Sequence, residues 1–139
     1  MGESQEGAVR AFVEGLNGTW DDAQIKRAVD RMAPQAHYHV YAWERPVVGQ
    51  DAIRREMQRQ APHFADLHCE ILNIASSDST VFVERLDSMT TKEGPLKSHL
   101  AAVFEVEPDG KIRAWREYYD SKEITTQVGA KMTTAGQRA

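Results

Sequence analysis

Residues 81–89 read Val81-Phe82-Val83-Glu84-Arg85-Leu86-Asp87-Ser88-Met89. The valines and the phenylalanine at the start of this stretch predict a β-strand. Alternate side chains of a strand point to the same side, so Arg85 and Asp87 share one face with three apolar residues, Val81, Val83 and Met89.

Arg85 and Asp87 are predicted to form an ion pair on this face. Their Cα atoms are expected to lie roughly 6.5–7 Å apart, close enough for the side chains to meet. Buried charges are costly unless they are paired. The opposite face is also mixed, so the alternation leaves open which face is inside. It also leaves open whether the pair is structural or belongs to a functional site.

The strand that begins at Val81 is predicted to continue to Thr91. Three more stretches of the chain have strand-like sequences, namely Leu67–Ala75, Leu96–Val106 and Ile112–Tyr119. The segments between them are rich in Gly, Pro, Ser and Asp, which favour tight turns. We therefore expect consecutive antiparallel hairpins over the second half of the chain.

The first half is predicted to be mainly helical. Apolar spacing and turn residues predict a helix ending at Asn17-Gly18, a second helix from an N-cap at Thr19 to Pro34, a strand over His37–Trp43, and a third helix over Ala52–Gln60. The order α-α-β-α-β-β-β-β predicts an α+β fold. A bent sheet against three helices would leave an internal cavity suited to a small molecule.

The length, charge and composition of the chain limit its possible domain organisation, partners and cofactors. A length of 139 residues fits one domain over 1–139, with a core of about 5–128 and a C-terminal tail, 129–139, that is expected to be disordered. The net charge of −4 argues against nucleic-acid and membrane partners. A single cysteine and the lack of an apolar leader favour a cytoplasmic protein. We expect no metal and no cofactor, since neither a third ligand for the histidines nor a nucleotide motif is evident.

The last strand adds a second carboxylate. Trp115, Glu117 and Tyr119 share one of its faces. If this face and the Arg85 face line the same cavity, the arginine can bridge Asp87 and Glu117. Repulsion between the carboxylates favours one shared proton, which would make a general acid and a general base.

The element order and the strands Glu84-Arg85-Leu86-Asp87 and Trp115-Arg116-Glu117-Tyr118-Tyr119-Asp120 resemble limonene-1,2-epoxide hydrolase. More broadly, they resemble the SnoaL-like branch of the NTF2-like (ketosteroid isomerase) cone fold, over about residues 5–128. The resemblance implies that Arg85 bridges the acids, Asp87 protonates the epoxide oxygen, Glu117 deprotonates water and Tyr38 holds that water.

Two positions depart from the pattern of that family. Glu117 stands where the family has an aspartate, and Val40 stands where it has an asparagine that holds the water. The loop before Gly49 is one residue longer, so an alternative alignment places His39 and Tyr41 at the Tyr38 and Val40 positions. The implied substrate-binding residues are Val40, Met89, Ser98, Leu100, Trp115, Tyr119 and Ile124.

The leading hypothesis is a cofactor-independent epoxide hydrolase that adds water to a small epoxide in one step. The alternatives are a SnoaL-like polyketide cyclase or a ketosteroid-isomerase-like isomerase, which Val40 favours, and a non-catalytic ligand-binding domain. In each case the partner is a small hydrophobic or mixed-polarity molecule. The resemblance also implies a homodimer.

Overall fold

The computed structural model describes residues 2–128. Within this range the chain forms four α-helices, a short 3-10 helix and one six-stranded sheet. The helices are α1 (Gly2–Glu14), α2 (Asp22–Asp30), α3 (Gln50–Gln60), the 3-10 helix (Ala61–His63) and α4 (Ser121–Val128). The strands are β1 (Met32–His39), β2 (Val47–Val48), β3 (Ala65–Ser77), β4 (Thr80–Thr91), β5 (Gly94–Val106) and β6 (Ile112–Tyr119).

The sheet has the order β2-β1-β6-β5-β4-β3. Strands β3 to β6 form an antiparallel meander, whereas β1 pairs with β6 in parallel. The parallel pairing places Tyr38 opposite Trp115 on the neighbouring strand. It thereby brings a residue from the first third of the chain beside the last strand.

Helix α1 covers the inner face of the sheet. Its residues Val9, Phe12 and Val13 are fully buried, as their helical spacing predicts. The ring of Phe12 packs edge-on against both Phe104 and Trp115, with ring centroids 5.7 and 5.0 Å apart. These contacts join α1 to β5 and β6 within the hydrophobic core.

The predicted α+β class is confirmed, and the four late strands occur in the predicted order. The predicted element order was incomplete, because it lacked the two-residue strand β2 and the final helix α4. Strand β2 is too short to show an alternation of side chains. The prediction of disorder for 129–139 falls outside the described residues.

The predicted limits of the second helix and the first strand were wrong. Asp21, and not Thr19, is the N-cap of α2, because its Oδ1 accepts a hydrogen bond of 2.8 Å from the Gln24 amide. Pro34 does not end the helix but lies within β1, where the pairing with β6 shifts register between Met32 and His37. An irregular ladder tolerates a residue that has no N–H to donate.

The first strand also ends earlier than predicted, at His39, and Trp43 lies beyond it with 77% of its surface exposed. No helix among residues 2–128 is both long enough and apolar enough to span a membrane.

Candidate active site

A cavity of about 140 Å³ lies between the inner face of the sheet and the helices. Cavities of about 150 Å³ hold a molecule such as benzene, so this one suits a guest with a single ring. All the residues predicted as catalytic or substrate-binding line it: Tyr38, Val40, Arg85, Asp87, Met89, Ser98, Leu100, Trp115, Glu117, Tyr119 and Ile124.

Arg85 is the central charged group of the cavity. Only 2% of its surface is exposed. Its Nε and Nη2 donate to the two oxygens of Asp87 at 3.1 and 2.7 Å. Its Nη1 donates to Oε2 of Glu117 at 2.9 Å, with a longer contact of 3.4 Å from Nη2 to Oε1. The arginine therefore holds both carboxylates at once.

Glu117 has a further partner on its own strand. The indole nitrogen of Trp115 donates to Oε2 of Glu117 at 2.8 Å. This oxygen thus accepts two hydrogen bonds, from Trp115 and Arg85. The two bonds fix the carboxyl group, whose side chain is 12% exposed.

The buried cluster combines one cation with two acidic side chains. Burial lowers the pKa of Arg85, but the negative charges of Glu117 and Asp87 outweigh burial and raise that pKa well above its ordinary value. The guanidinium is therefore always charged. Two ionised carboxylates would leave one negative charge in excess, and a single proton on the pair would bring the buried cluster to neutrality.

Asp87 lies between two polar side chains of neighbouring strands. In the sheet register it faces Cys69 on β3 and Ser98 on β5. Burial, followed by the charge of Asp87, raises the pKa of the Cys69 thiol. The thiol therefore stays protonated and is not a nucleophile.

Tyr38 stacks on Trp115 with a centroid separation of 3.9 Å. Its hydroxyl oxygen accepts a hydrogen bond of 3.3 Å from Nε2 of Gln60. Burial first, and then the charge of Glu117, raises the pKa of Tyr38 far above its ordinary value. The hydroxyl is therefore neutral and has a proton to donate.

The two possible alignments place either Tyr38 and Val40 or His39 and Tyr41 beside the water. Tyr38 and Val40 both line the cavity. His39 does not line the cavity; its Nδ1 contacts the Glu44 carbonyl at 3.0 Å. Tyr41 also lines the cavity, because the chain has left the strand by that point, and its ring stacks on Tyr119 at 4.8 Å.

Sequence reasoning did not identify several further residues of the cavity, which come mainly from the helices and loops: Leu16, Trp20, Gln60, His63, Phe64, Leu67 and Leu96. The sequence contains one indication that Gln60 could have a polar partner, because it lies one turn after Glu56 on α3. Helical spacing could not show that this end of α3 reaches Tyr38.

Helix α4 carries Ile124 to the mouth of the cavity. Beyond the end of β6, the side-chain amide of Gln127 pairs with both backbone groups of Lys97 on β5, at 2.9 and 2.6 Å. Glu123 accepts from the His99 amide at 2.8 Å. These side chains satisfy backbone groups of β5 and hold the helix against the sheet.

The described residues, 2–128, contain no cluster of three or more His, Cys, Asp or Glu arranged to hold a metal ion. They do contain a pair of carboxyl groups joined by one guanidinium, in a cavity whose wall includes aromatic and aliphatic side chains. Such a pair can donate and accept protons on a neutral guest.

Comparisons with known proteins agree with this architecture. A family model described as a SnoaL-like domain matches residues 9–115. An LEH-like epoxide hydrolase from M. tuberculosis has a TM-score of 0.75 at 19% identity, covering 96% of this chain and 95% of the other. A proposed polyketide cyclase from Xanthomonas campestris pv. campestris has a TM-score of 0.78 at 17% identity, with 91% and 98% covered.

A phenazine biosynthesis-related protein from Pseudomonas aeruginosa has a TM-score of 0.75 at 16% identity, with 91% and 81% covered. No curated protein gives a significant sequence match. At these identities the solved structures establish the fold, and they confirm the predicted NTF2-like α+β architecture. Because the family model covers more than half of the sequence, the chain belongs to the SnoaL-like family.

Proposed function

We propose that this protein is a cofactor-independent epoxide hydrolase of the limonene-1,2-epoxide hydrolase type. The observation that carries the proposal is the guanidinium of Arg85, which binds Asp87 and Glu117 together inside a cavity lined mainly by aromatic and aliphatic side chains. An acid and a base held on one rigid cation can act on a substrate in a single step.

In the proposed reaction, Glu117 takes one proton from a water molecule while the water oxygen bonds to an epoxide carbon. The bond between that carbon and the ring oxygen breaks. The released oxygen takes the proton of Asp87, and the product is a vicinal diol. Glu117 is then protonated and Asp87 ionised, and return of the proton from Glu117 to Asp87 restores the starting state.

The substrate of this reaction is expected to be small and uncharged. Arg85 uses four of its five N–H groups on the two acidic side chains, which also balance its charge, so an anionic group of a substrate would add negative charge that no cation compensates. The cavity volume of about 140 Å³ suits a guest with about one ring. Neutral monocyclic epoxides meet both conditions.

The test is an assay of diol formation from cyclohexene, styrene and monocyclic terpene epoxides. Reaction in water labelled with oxygen-18 should place one labelled oxygen in the diol, since the water oxygen is the nucleophile. A folded protein that hydrolyses none of these epoxides would refute the proposal.

A second candidate, an isomerase or cyclase, is favoured by Val40. This buried apolar residue lines the cavity next to Tyr38 and has no group that can hold water. In that case one carboxylate would move a proton on a ketone substrate. Exchange of solvent deuterium into a cyclic ketone, without net hydration, would support this candidate over hydrolysis.

We further propose that the protein forms a homodimer through the outer face of the sheet. Phe82 and Tyr118 are 46% and 49% exposed on that face. The register places Val103 beside Phe82, and Ala101 beside Tyr118, in two cross-strand rows that end at Arg116 and Glu84. Exposed apolar patches of this kind mark interaction surfaces.

A further inference from the structure

Gln60 is the one cavity residue whose side-chain amide joins the sheet to helix α3. Its Nε2 donates to Oε2 of Glu56 at 3.0 Å and to the hydroxyl oxygen of Tyr38 at 3.3 Å. Among the described residues that line the cavity it is the only side-chain amide.

The orientation of this amide follows from the charge of Glu56. Arg59 donates to both oxygens of Glu56, at 2.6 Å from Nη2 and 3.3 Å from Nε. An ionised carboxylate can only accept hydrogen bonds, so the NH2 group of Gln60 must point towards Glu56. Both N–H bonds are then used, and the carbonyl oxygen Oε1 is the group left for a guest.

Glu56 holds the side-chain amide of Gln60 in place. It is buried, with 8% of its surface exposed, and a charge at that depth requires its partners to stay in place. The hydrogen bond from Gln60 to Glu56 is charge-assisted, which makes it stronger than a neutral one. The Gln60 side chain is therefore held in one position before any guest arrives.

Tyr38 provides a hydrogen-bond donor in the same cavity. Its oxygen already accepts from Gln60, and its neutral hydroxyl has a proton to donate. One cavity thus contains a donor on Tyr38, an acceptor on Gln60 and a base on Glu117. A water molecule has two protons to donate and two lone pairs to accept with.

We propose that Gln60, anchored by Glu56, is a positioning residue for the nucleophilic water. The water donates one proton to Glu117 and the other to Oε1 of Gln60, and it accepts from Tyr38. Its remaining lone pair points at the substrate. This inference rests on the proposed hydrolase function. In this arrangement Gln60 supplies the hydrogen-bond acceptor that Val40 lacks.

The test compares Gln60→Met with Gln58→Met. Methionine keeps the length of glutamine and removes its hydrogen bonds. Gln58 lies on the same helix, but it is exposed and bonds only Asp22, at 3.3 Å, among the described residues. Gln60→Met should lower kcat by about 10²-fold, the order expected for a misplaced nucleophile. Its KM, and the Kd of the diol product measured by tryptophan fluorescence, should stay within about threefold. Gln58→Met should match the wild type.

A crystal structure of the wild-type protein provides a readout that needs neither activity nor a variant. We expect one ordered water within hydrogen-bond distance of Gln60 Oε1, Tyr38 Oη and a Glu117 oxygen. Absence of that water, or an unchanged kcat in Gln60→Met while the wild type turns over, overturns the inference and leaves the hydrolase function standing. A wild type that hydrolyses no epoxide refutes the hydrolase function itself.

Discussion

Nη1 of Arg85 lies 2.9 Å from Oε2 of Glu117, although the two residues are 32 positions apart and β5 runs between their strands. The sheet register explains how the side chain of Arg85 reaches Glu117. Ala102 on β5 faces both Glu117 and Val83, and its side chain is a single methyl group. A small residue at this position leaves space for the arginine to cross over β5.

The two carboxyl groups should be separately essential for turnover. We expect Asp87→Asn and Glu117→Gln each to lower kcat by roughly 10²–10⁴-fold, since each removes one proton-transfer group. Glu84→Gln is the matched control, because Glu84 is an exposed carboxylate of the same strand that bonds Asn73 at 2.7 Å. Kinetic assays and melting curves on all three variants measure the effect. Turnover at the wild-type rate in either active-site variant would contradict the assigned roles.

Removal of Arg85 should destabilise the fold by leaving two carboxylates in the cavity without a cation. We expect Arg85→Met to lower the free energy of unfolding by about 3–5 kcal/mol at pH 7, measured by urea denaturation. Arg85 itself adds no pH dependence to the stability of the wild type at or below pH 7, because its raised pKa keeps it charged throughout.

The control for this change is Arg113→Met. Arg113 pairs with Glu105 at 3.1 Å, but its side chain is 40% exposed. Water screens such a pair, so we expect a loss of at most about 1 kcal/mol. Equal losses in the two variants would show that burial of Arg85 has no special energetic effect.

Glu105 should contribute stability that is lost in acid. The hydrogen bond from Arg116, at 2.7 Å, holds the pKa of Glu105 below its ordinary value of 4.5, and Arg113 adds to the effect. A carboxyl group whose pKa is lower in the folded state stabilises the fold above the unfolded pKa, and this contribution disappears as pH falls through the folded pKa.

Glu105→Gln should therefore lower the free energy of unfolding by about 1 kcal/mol at pH 7 and by much less at pH 3. Urea denaturation at the two pH values measures the difference. Glu107→Gln is the control, since Glu107 lies 3.6 Å from Arg113 and is 38% exposed. A destabilisation of Glu105→Gln that is equal at both pH values would contradict this prediction.

The proposed dimer can be tested with a charge on the outer sheet face. Phe82→Glu should convert a dimer to a monomer in light scattering coupled to size-exclusion chromatography, because the charge would have to be buried at the interface. Val48→Glu is the matched control, at a position that is 45% exposed on β2 at the far edge of the sheet. A wild type that is monomeric at micromolar concentration would refute the dimer.

The sequence by itself determined the second half of the fold. Alternation of side chains is a local property of a strand, so it predicted β3 to β6 and the shared face of Arg85 and Asp87. Gly94, the first residue of β5, and Gly110, in the turn before β6, have positive φ angles and mark the turns that connect these strands. Family resemblance then indicated the residues that line the cavity.

Only the tertiary structure decided which face of β4 is inside and that Arg85 meets Glu117. It also decided that Gln60, 22 positions from Tyr38, reaches its hydroxyl. These contacts depend on the parallel pairing of β1 with β6 and on the packing of α3 beside β1. Local periodicity contains no information about such contacts, because the free energy that selects them comes from burying distant surfaces against one another.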